Sequence, residues 1–492
     1  MNQPNIVWLV GDHFAFKPYV DLYPQLRLAT YARLGAAGVV FDQAYSVCPL
    51  CQPARSSMLT GTYPHRHGVL INDEQSGGTS GFAPDQKVIT HYLRAAGYRC
   101  ASFGKWHCGG TTTAHDYGFE GWSLPRYGSP YQSPEYADYL RERNLARPAV
   151  ELEWAFGNLA NCPQPFVLGS EAGAGFGPWL AAGRFTGSIE THEAVFTANL
   201  ACRWLNVNAQ RADPFFMRVD VWGPHHPYHG PGELLNRVDP TSLDPYPGFG
   251  QFPENMPRNY EDCRKKWRRD QTHLWSWWQA GLARCLEQIM LVDHALGRVV
   301  DALDALGLRE NTLVIYTADH GDLIASHGGL INKDSLMFEE TMRVPLALRW
   351  PARFPGGGCS SALVSNMDLM ATTVDAAGAL PAAAGLDSVS LLPLANQPAA
   401  PGREVLVSES HGEAAVEFVQ RMVRWKHYKY IAHLDDRDLL YDLKQDPFEQ
   451  HNLAAAPESQ AVLRHMQLLL RAEMAQHADS GPEAERLRQQ LA

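Results

Sequence analysis

Four short apolar runs in this chain each end on residues able to bind a metal or move a proton. "NIVWLV" (5–10) runs into Gly11-Asp12-His13, "YRCASF" (98–103) into Gly104-Lys105-Trp106-His107, "FFMRVDV" (215–221) into Pro224-His225-His226-Pro227, and "TLVIYT" (312–317) into Ala318-Asp319-His320-Gly321-Asp322. Taken singly, an Asp after a strand is a turn former or helix cap, and a lone His is a hydrogen-bonded structural residue. Four such ends of the Asp/His/Lys kind in one chain outweigh that reading. Two carboxylates and one or two imidazoles make a divalent-metal site, and a lysine beside them suits an anionic substrate. A fifth stretch, "CPLCQPARSSMLTG" from Cys48 to Gly61, places a thiol at a helix start. Its CPLC spacing is that of a redox or zinc pair. No second CxxC accompanies it, and a buried, inert thiol is the ordinary alternative for Cys51.

Such residues converge only if the runs are neighbouring strands. Short β-like runs, with "VPLALRW" (344–350) a fifth, alternate with helical stretches, which predicts an α/β fold built on a large, mainly parallel sheet. In an open parallel sheet, ligands bind outside the carboxyl ends of the strands. The stretch 282–307 repeats Leu282, Leu286, Ile289, Leu296, Val299, Val300 and Leu303 at helical spacing and reads as a core-facing helix. Two regions rich in Gly, Pro and aromatics, Trp122 to Gly187 and Pro224 to Pro257, read as long loops laid over the scaffold. Their Trp122, Tyr127, Tyr131, Trp154 and Trp179 suit stacking on a sugar or aryl ring, or packing on one another. After about Pro401 the texture becomes consecutive strands in meander order, then a helix near 457–476 and a charged tail. The expected division is a catalytic unit over 1–400 and a small α+β C-terminal unit over 401–492 carrying an antiparallel sheet.

Composition bounds the function class. The chain has 492 residues, 45% of them hydrophobic and 19% charged, with no apolar run long enough to span a bilayer, so a soluble globular protein is expected and no membrane partner. A net charge of −11 disfavours nucleic acid, and the one dense basic run, Arg264 to Arg269, reads as a solvated helix end. Nine scattered cysteines suit a reducing compartment, and the N-terminus shows no export signal, so the cytoplasm is the expected location. The oligomeric state stays open.

The register Cys51-Gln52-Pro53-Ala54-Arg55, with Thr60-Gly61 beyond it, resembles the signature of the type I sulfatases of the alkaline phosphatase-like superfamily, in which that cysteine is oxidised to formylglycine. The resemblance covers most of the chain: "PNIVWLVGDH", "GKWHCG", "GPHHPY", "TADHGDLIASHG", "NKDSLMFEETMRVPL" and "LYDLKQDPFEQHNLA" are similar to successive family motifs and stand in the family's order. It implies an alkaline phosphatase-like fold, Cys51 as the modified nucleophile, and a formylglycine-generating enzyme as maturation partner. It also implies one divalent cation, calcium or manganese, on Asp12, His13, Asp319 and His320. Arg55 would partner the hydrated aldehyde or a neighbouring ligand, and Lys105 and Lys333 would hold sulfate oxygens. His107 would help collapse the hydrate, and His225, picked by the P-H-x-P register over His226, would serve the leaving oxygen. One departure is His13, where many sulfatases have a second carboxylate.

The implied reaction is hydrolysis of a small-molecule or saccharide sulfate ester. A hydrated aldehyde has two hydroxyls on one carbon: one attacks sulfur, and deprotonation of the other expels sulfate, so the covalent intermediate carries its own release step. A phosphonate monoester or phosphodiester hydrolase with the same formylglycine is the alternative enzyme. A silent, anion-binding relative is the alternative of another class, and the intact set of polar residues argues against it.

Overall fold

The computed structural model describes residues 3–72, 81–83, 85–156, 164–170, 175–231, 238–268, 272–413 and 418–491. Sixteen strands form among them: β1 (Asn5–Asp12), β2 (Val39–Tyr45), β3 (Arg99–Lys105), β4 (Glu120–Leu124), β5 (Ala149–Ala155), β6 (Phe166–Val167), β7 (Ala181–Phe185), β8 (Phe215–Pro224), β9 (Tyr228–Gly230), β10 (Thr312–Ala318), β11 (Leu346–Arg349), β12 (Gly358–Ser365), β13 (Val405–Ser410), β14 (Gln420–Trp425), β15 (Tyr428–His433) and β16 (Leu439–Asp442). The main sheet runs β12-β2-β11-β10-β1-β8-β3-β4. Pairs β10/β1, β1/β8, β8/β3 and β3/β4 are parallel, while β11 runs antiparallel to both its neighbours. Its two central strands are apolar nearly throughout and buried, as both faces of a helix-covered sheet require.

The order matters for chemistry. Strands β10, β1, β8 and β3 lie side by side and point the same way, so their carboxyl ends present Asp319, Asp12, His225 and Lys105 along one edge. A 31-residue helix, Trp275–Ala305, and a second, Glu193–Asn208, pack against β8. The first extends a full two turns beyond the sequence expectation because the tryptophan-rich start, from Trp275, carries the same buried face. On the sheet's other contacts, Trp8 of β1 donates its indole N–H to Thr373 in the helix Asp368–Ala376.

The region from Trp122 to Gly187 is not simply loop. It contains β4 to β7 and a helix, Pro134–Glu142, and β6-β5-β7-β9 form a small second sheet. Tyr131 and Trp154 are buried within it, and Trp122 packs on Phe196 and Trp222. Residues 264–267 of the basic run end the helix Arg258–Trp267, which turns inward there: Lys266 pairs with Asp334 at 2.9 Å, and the Trp267 indole donates to the same carboxylate; position 269 lies outside the described residues.

At the C-terminus, β13-β14-β15-β16 form an antiparallel meander. The helix Gln460–Gln476 packs on it, and a further helix, Pro482–Gln490, stands where a tail was expected. Ala484 and Leu487 of that last helix are buried, which gives its charged sequence an apolar stripe. No helix among the described residues is long and apolar enough to cross a membrane. The described cysteines are all free thiols, Cys48 and Cys51 included.

Just beyond the helix Gln460–Gln476, His477 packs on Tyr63 and hydrogen-bonds Asp387 at 3.0 Å. The bonds to Asp387 and Glu473 raise its pKa to about 9. A raised folded-state value gives stability that is complete below the unfolded value near 6.5 and is lost as pH climbs through about 9. His477→Ala is therefore expected to lower Tm at pH 6 and to do so progressively less toward pH 10. Equal Tm gaps at both pH values would disprove a charged latch here.

Candidate active site

The helix Cys51–Thr60 starts at the extended Leu50 and closes on Gly61 at φ 68°, a left-handed position that suits glycine. All ten of its residues are buried. Pro53 is tolerated because it falls in the first turn, where no intrahelical N–H bond is lost. Cys51 and Arg55 are four apart and so share a face. The reason for the spacing is then visible: the thiol and the guanidinium must both look into the strand ends.

Arg55 is the hub. Its Nε donates to Asp319 Oδ2 at 2.8 Å, one terminal nitrogen to Asp220 Oδ1 at 2.9 Å and the other to Asp12 Oδ1 at 3.4 Å, all fully buried. Lys105 donates to the other oxygen of Asp12 at 2.6 Å, its ammonium lying 4.3 Å over the Tyr127 ring. Burial alone would raise the pKa of Asp12, but the charges of Lys105 and Arg55 overcome it and hold the carboxyl well below its ordinary range. In Asp319 burial wins, helped by the Asp12 charge, and its pKa is raised.

Asp319 is fixed from several sides. Its Oδ1 accepts the backbone N–H of His13 at 3.0 Å and of His320 at 2.9 Å. Its carbonyl accepts from Ser46 Oγ at 2.6 Å and Asn366 Nδ2 at 2.8 Å, while Asn366 Oδ1 accepts from Val47 N–H. These bonds tie the approach to Cys51 onto the end of β10. The Cys51 sulfur lies 3.0 Å from His320 Nε2, and one donor atom from each of Asp12, Cys51, Asp319 and His320 falls within 4.8 Å of every other.

On the opposite side, Lys333 Nζ lies 3.2 Å from His225 Nε2, and His225 Nδ1 lies 2.8 Å from the His226 carbonyl. These partners assign the tautomer: Nδ1 donates and Nε2 accepts. Burial, then the neighbouring His226 and Lys333, keep His225 well below its usual pKa, so its ring is neutral. Lys333 is raised, because the nearby acidic groups, Cys51 first, outweigh its burial. His107 follows Lys105, buried at φ 45°, with its ring 5.7 Å from that of Tyr127. Trp179, half exposed, packs on both His225 and His226 and marks the open side.

All ten residues expected from the sequence are thus gathered at one edge, but His13 is turned differently from the other three proposed ligands. Its main chain serves Asp319, while its ring, at φ 59°, packs among His225, His226 and His320 and faces Asp322 at 3.4 Å. Sequence reasoning passed over Asp220, Glu193 and Asn366, and left Asp322, which it placed at a strand end, without a role. Asp220 carried a signal, being acidic inside an otherwise apolar strand, beside Arg218, which donates to it at 2.7 Å. Glu193 carried none. It accepts from the N–H groups of Trp222 and Gly223 and so sets the approach to His225; burial raises its pKa to about 7.

This fold and this edge define a class. The family model for sulfatases matches residues 4–379, so the chain belongs to the sulfatase family, and it is an enzyme of the sulfuric ester hydrolase kind. A second model, N-sulphoglucosamine sulphohydrolase C-terminal, matches 327–476. Among curated relatives, N-acetylglucosamine-6-O-sulfatase of Bacteroides thetaiotaomicron is 25% identical over 98% of this chain and 88% of its own, and choline-sulfatase of Rhizobium meliloti 26% identical over 92% and 83%. The phosphonate monoester hydrolase of Agrobacterium radiobacter has the same fold (TM-score 0.74, 20% identity, 96% of both chains).

Proposed function

We propose that the protein hydrolyses a saccharide sulfate ester, with Cys51 acting as formylglycine and one divalent cation held by Asp12, Asp319, His320 and residue 51. The observation that carries this is the placement of the Cys51 sulfur 3.0 Å from His320 Nε2, within the same small group as the two carboxylates. Two carboxylates, an imidazole and a sulfur or oxygen from residue 51 fit a borderline cation such as manganese; they are too few oxygens for calcium without added ligands. Bound there, the cation would supply Lewis acidity toward the sulfuryl group and lower the pKa of a nearby hydroxyl.

The chain's own side chains do the rest. Arg55 holds Asp12 ionised and fixes both Asp12 and Asp319 in place, and Lys105 holds the second oxygen of Asp12. Lys333, facing residue 51, offers an ammonium to the sulfuryl oxygens. Neutral His225 accepts a Lys333 N–H at Nε2, so the proton for the leaving alcohol would come from Lys333, with His225 the proposed relay to the leaving oxygen. His107 is the residue proposed to take the proton whose loss releases sulfate. A saccharide is favoured by the relatives' names.

Phosphonate monoester hydrolysis is the second reading, favoured by the Asp-His pair at 319–320 and by the structural likeness above. Peptide mass spectrometry of protein matured with a formylglycine-generating enzyme should show an aldehyde at Cys51 and thiols elsewhere. Matched aryl sulfate and phenylphosphonate esters should then favour the sulfate in kcat/KM. A preference of more than about 10-fold for the phosphonate, equivalent to about 1.4 kcal/mol, selects the second reading.

A further inference from the structure

At the β12 end of the main sheet, on the side away from β3, a cleft of roughly 800 Å³ opens between β2, β12 and the turn that joins β14 to β15. None of the residues lining it belongs to the site described above. We propose that this cleft binds a sulfated saccharide chain at a segment other than the one being cleaved; the choice of a sulfated saccharide rests on the function proposed above. The charges carry the inference. Arg343, Arg403, Arg424, Lys426 and Lys444 line the cleft against Glu339 and Glu404, in a chain whose net charge is −11. Exposed charge on a surface is ordinary, but one of these cations is buried.

The nearby carboxylates are already taken. Arg403 pairs with Asp368 at 2.7 Å and Arg343 with Asp42 at 3.4 Å, while Lys429 lies 3.0 Å from Glu339 and 2.9 Å from Glu449. Arg424 has no such partner. It is 3% exposed and forms no ion pair among the described residues: Nε donates to the Tyr45 hydroxyl at 3.0 Å, Nη1 to the Tyr428 carbonyl, and Nη2 to none of them. A guanidinium withdrawn from water without a counter-charge is costly, and an anion in the cleft would supply one. Arginine also suits a sulfate group, whose oxygens can take two parallel N–H bonds. Lys426, at φ 50° in the β14–β15 turn, and Lys444 are exposed and form no ion pair among the described residues. Trp425, with the Lys426 ammonium 4.1 Å from its ring centre, gives the cleft an apolar wall. The volume is that of a site for a drug-sized ligand. A chain carrying repeated anionic groups uses all of these features; a single ion uses Arg424 alone.

Fluorescence anisotropy of labelled dextran sulfate, titrated at low ionic strength with the full-length protein, tests it. The protein is left unmatured, so that Cys51 is a thiol and nothing is turned over. Arg424→Gln and Lys426→Ala/Lys444→Ala should each weaken binding by about 10-fold or more. Arg211→Ala/Arg309→Ala, which removes two exposed charges before β8 and β10, should change it by less than about 2-fold. Unlabelled dextran should not compete, and polyphosphate of matched charge should compete less well than dextran sulfate. Unchanged binding in the lysine pair, or an equal loss in the Arg211/Arg309 pair, overturns the proposal. Polyphosphate competing as well as dextran sulfate overturns the saccharide assignment. Should Arg424→Gln fail to fold, the exposed lysine pair decides alone. In matured enzyme the lysine pair should raise KM for a sulfated oligosaccharide and leave kcat/KM for an aryl sulfate as in the parent. A phosphonate preference in the ester comparison above would overturn the proposed reaction and leave the binding result standing, whereas sulfate ester hydrolysis without dextran sulfate binding overturns the cleft alone.

Discussion

Arg55→Met is expected to destabilise the chelator-treated protein by about 3–5 kcal/mol, the cost of leaving buried charges uncompensated. The size follows from what the side chain neutralises. Asp12, Asp220 and Asp319 all approach one guanidinium that no solvent reaches, and only Lys105 and Arg218 remain for two of them. With Arg55 gone, Asp319 keeps no Lys or Arg ion pair among the described residues, so its already raised pKa should rise further and the loss should ease at low pH. Urea unfolding at pH 7.5 with chelator present measures the effect. A change under about 1 kcal/mol would show that the three carboxylates do not depend on this residue.

The largest effect on activity is expected at Cys51. Cys51→Ala should lower kcat/KM for the preferred sulfate ester by on the order of 10⁴-fold or more, since removing a nucleophile leaves only binding and electrostatic assistance. Stability should change little, because alanine keeps the helix and removes one small buried group. Cys48→Ala, three residues away and also buried, should stay active, since its thiol points into the C-terminal core and is pushed up in pKa by burial. An alanine variant at Cys51 that retains more than a hundredth of parental activity would remove this residue from the chemistry.

Much of this site was legible because strand ends advertise themselves. A run such as "TLVIYT" is apolar on both faces, so the Asp319-His320 pair that follows stands out, and parallel strand order then brings the pairs together. What the sequence hid were partners inside strands or before helices. Asp220 sits within β8 and reads as a blemish in an apolar run until Arg55 is placed against it. The resemblance puts His13 with Asp12 as a ligand, at the place of a second carboxylate, yet its positive φ turns the ring away, and no local pattern announces a left-handed histidine. The strands of the small second sheet were missed for a related reason: Gly and Pro dominate their surroundings, and β5 carries exposed glutamates among its buried residues.

The strand order also governs when this machinery can exist. β10 lies between β1 and β11, and His13 bonds a residue 306 positions later in the chain. A polypeptide still growing through residue 311 therefore holds β1 with an open edge and Arg55 without its Asp319 partner. Closing so long a loop is slow relative to forming the helices. During that delay the Cys51 helix has no completed floor beneath it and its thiol remains open to solvent; once β10 docks, the same thiol is sealed at 1% exposure. On the proposed function, maturation and folding would compete in time for one side chain, and the late arrival of a central strand would set the deadline.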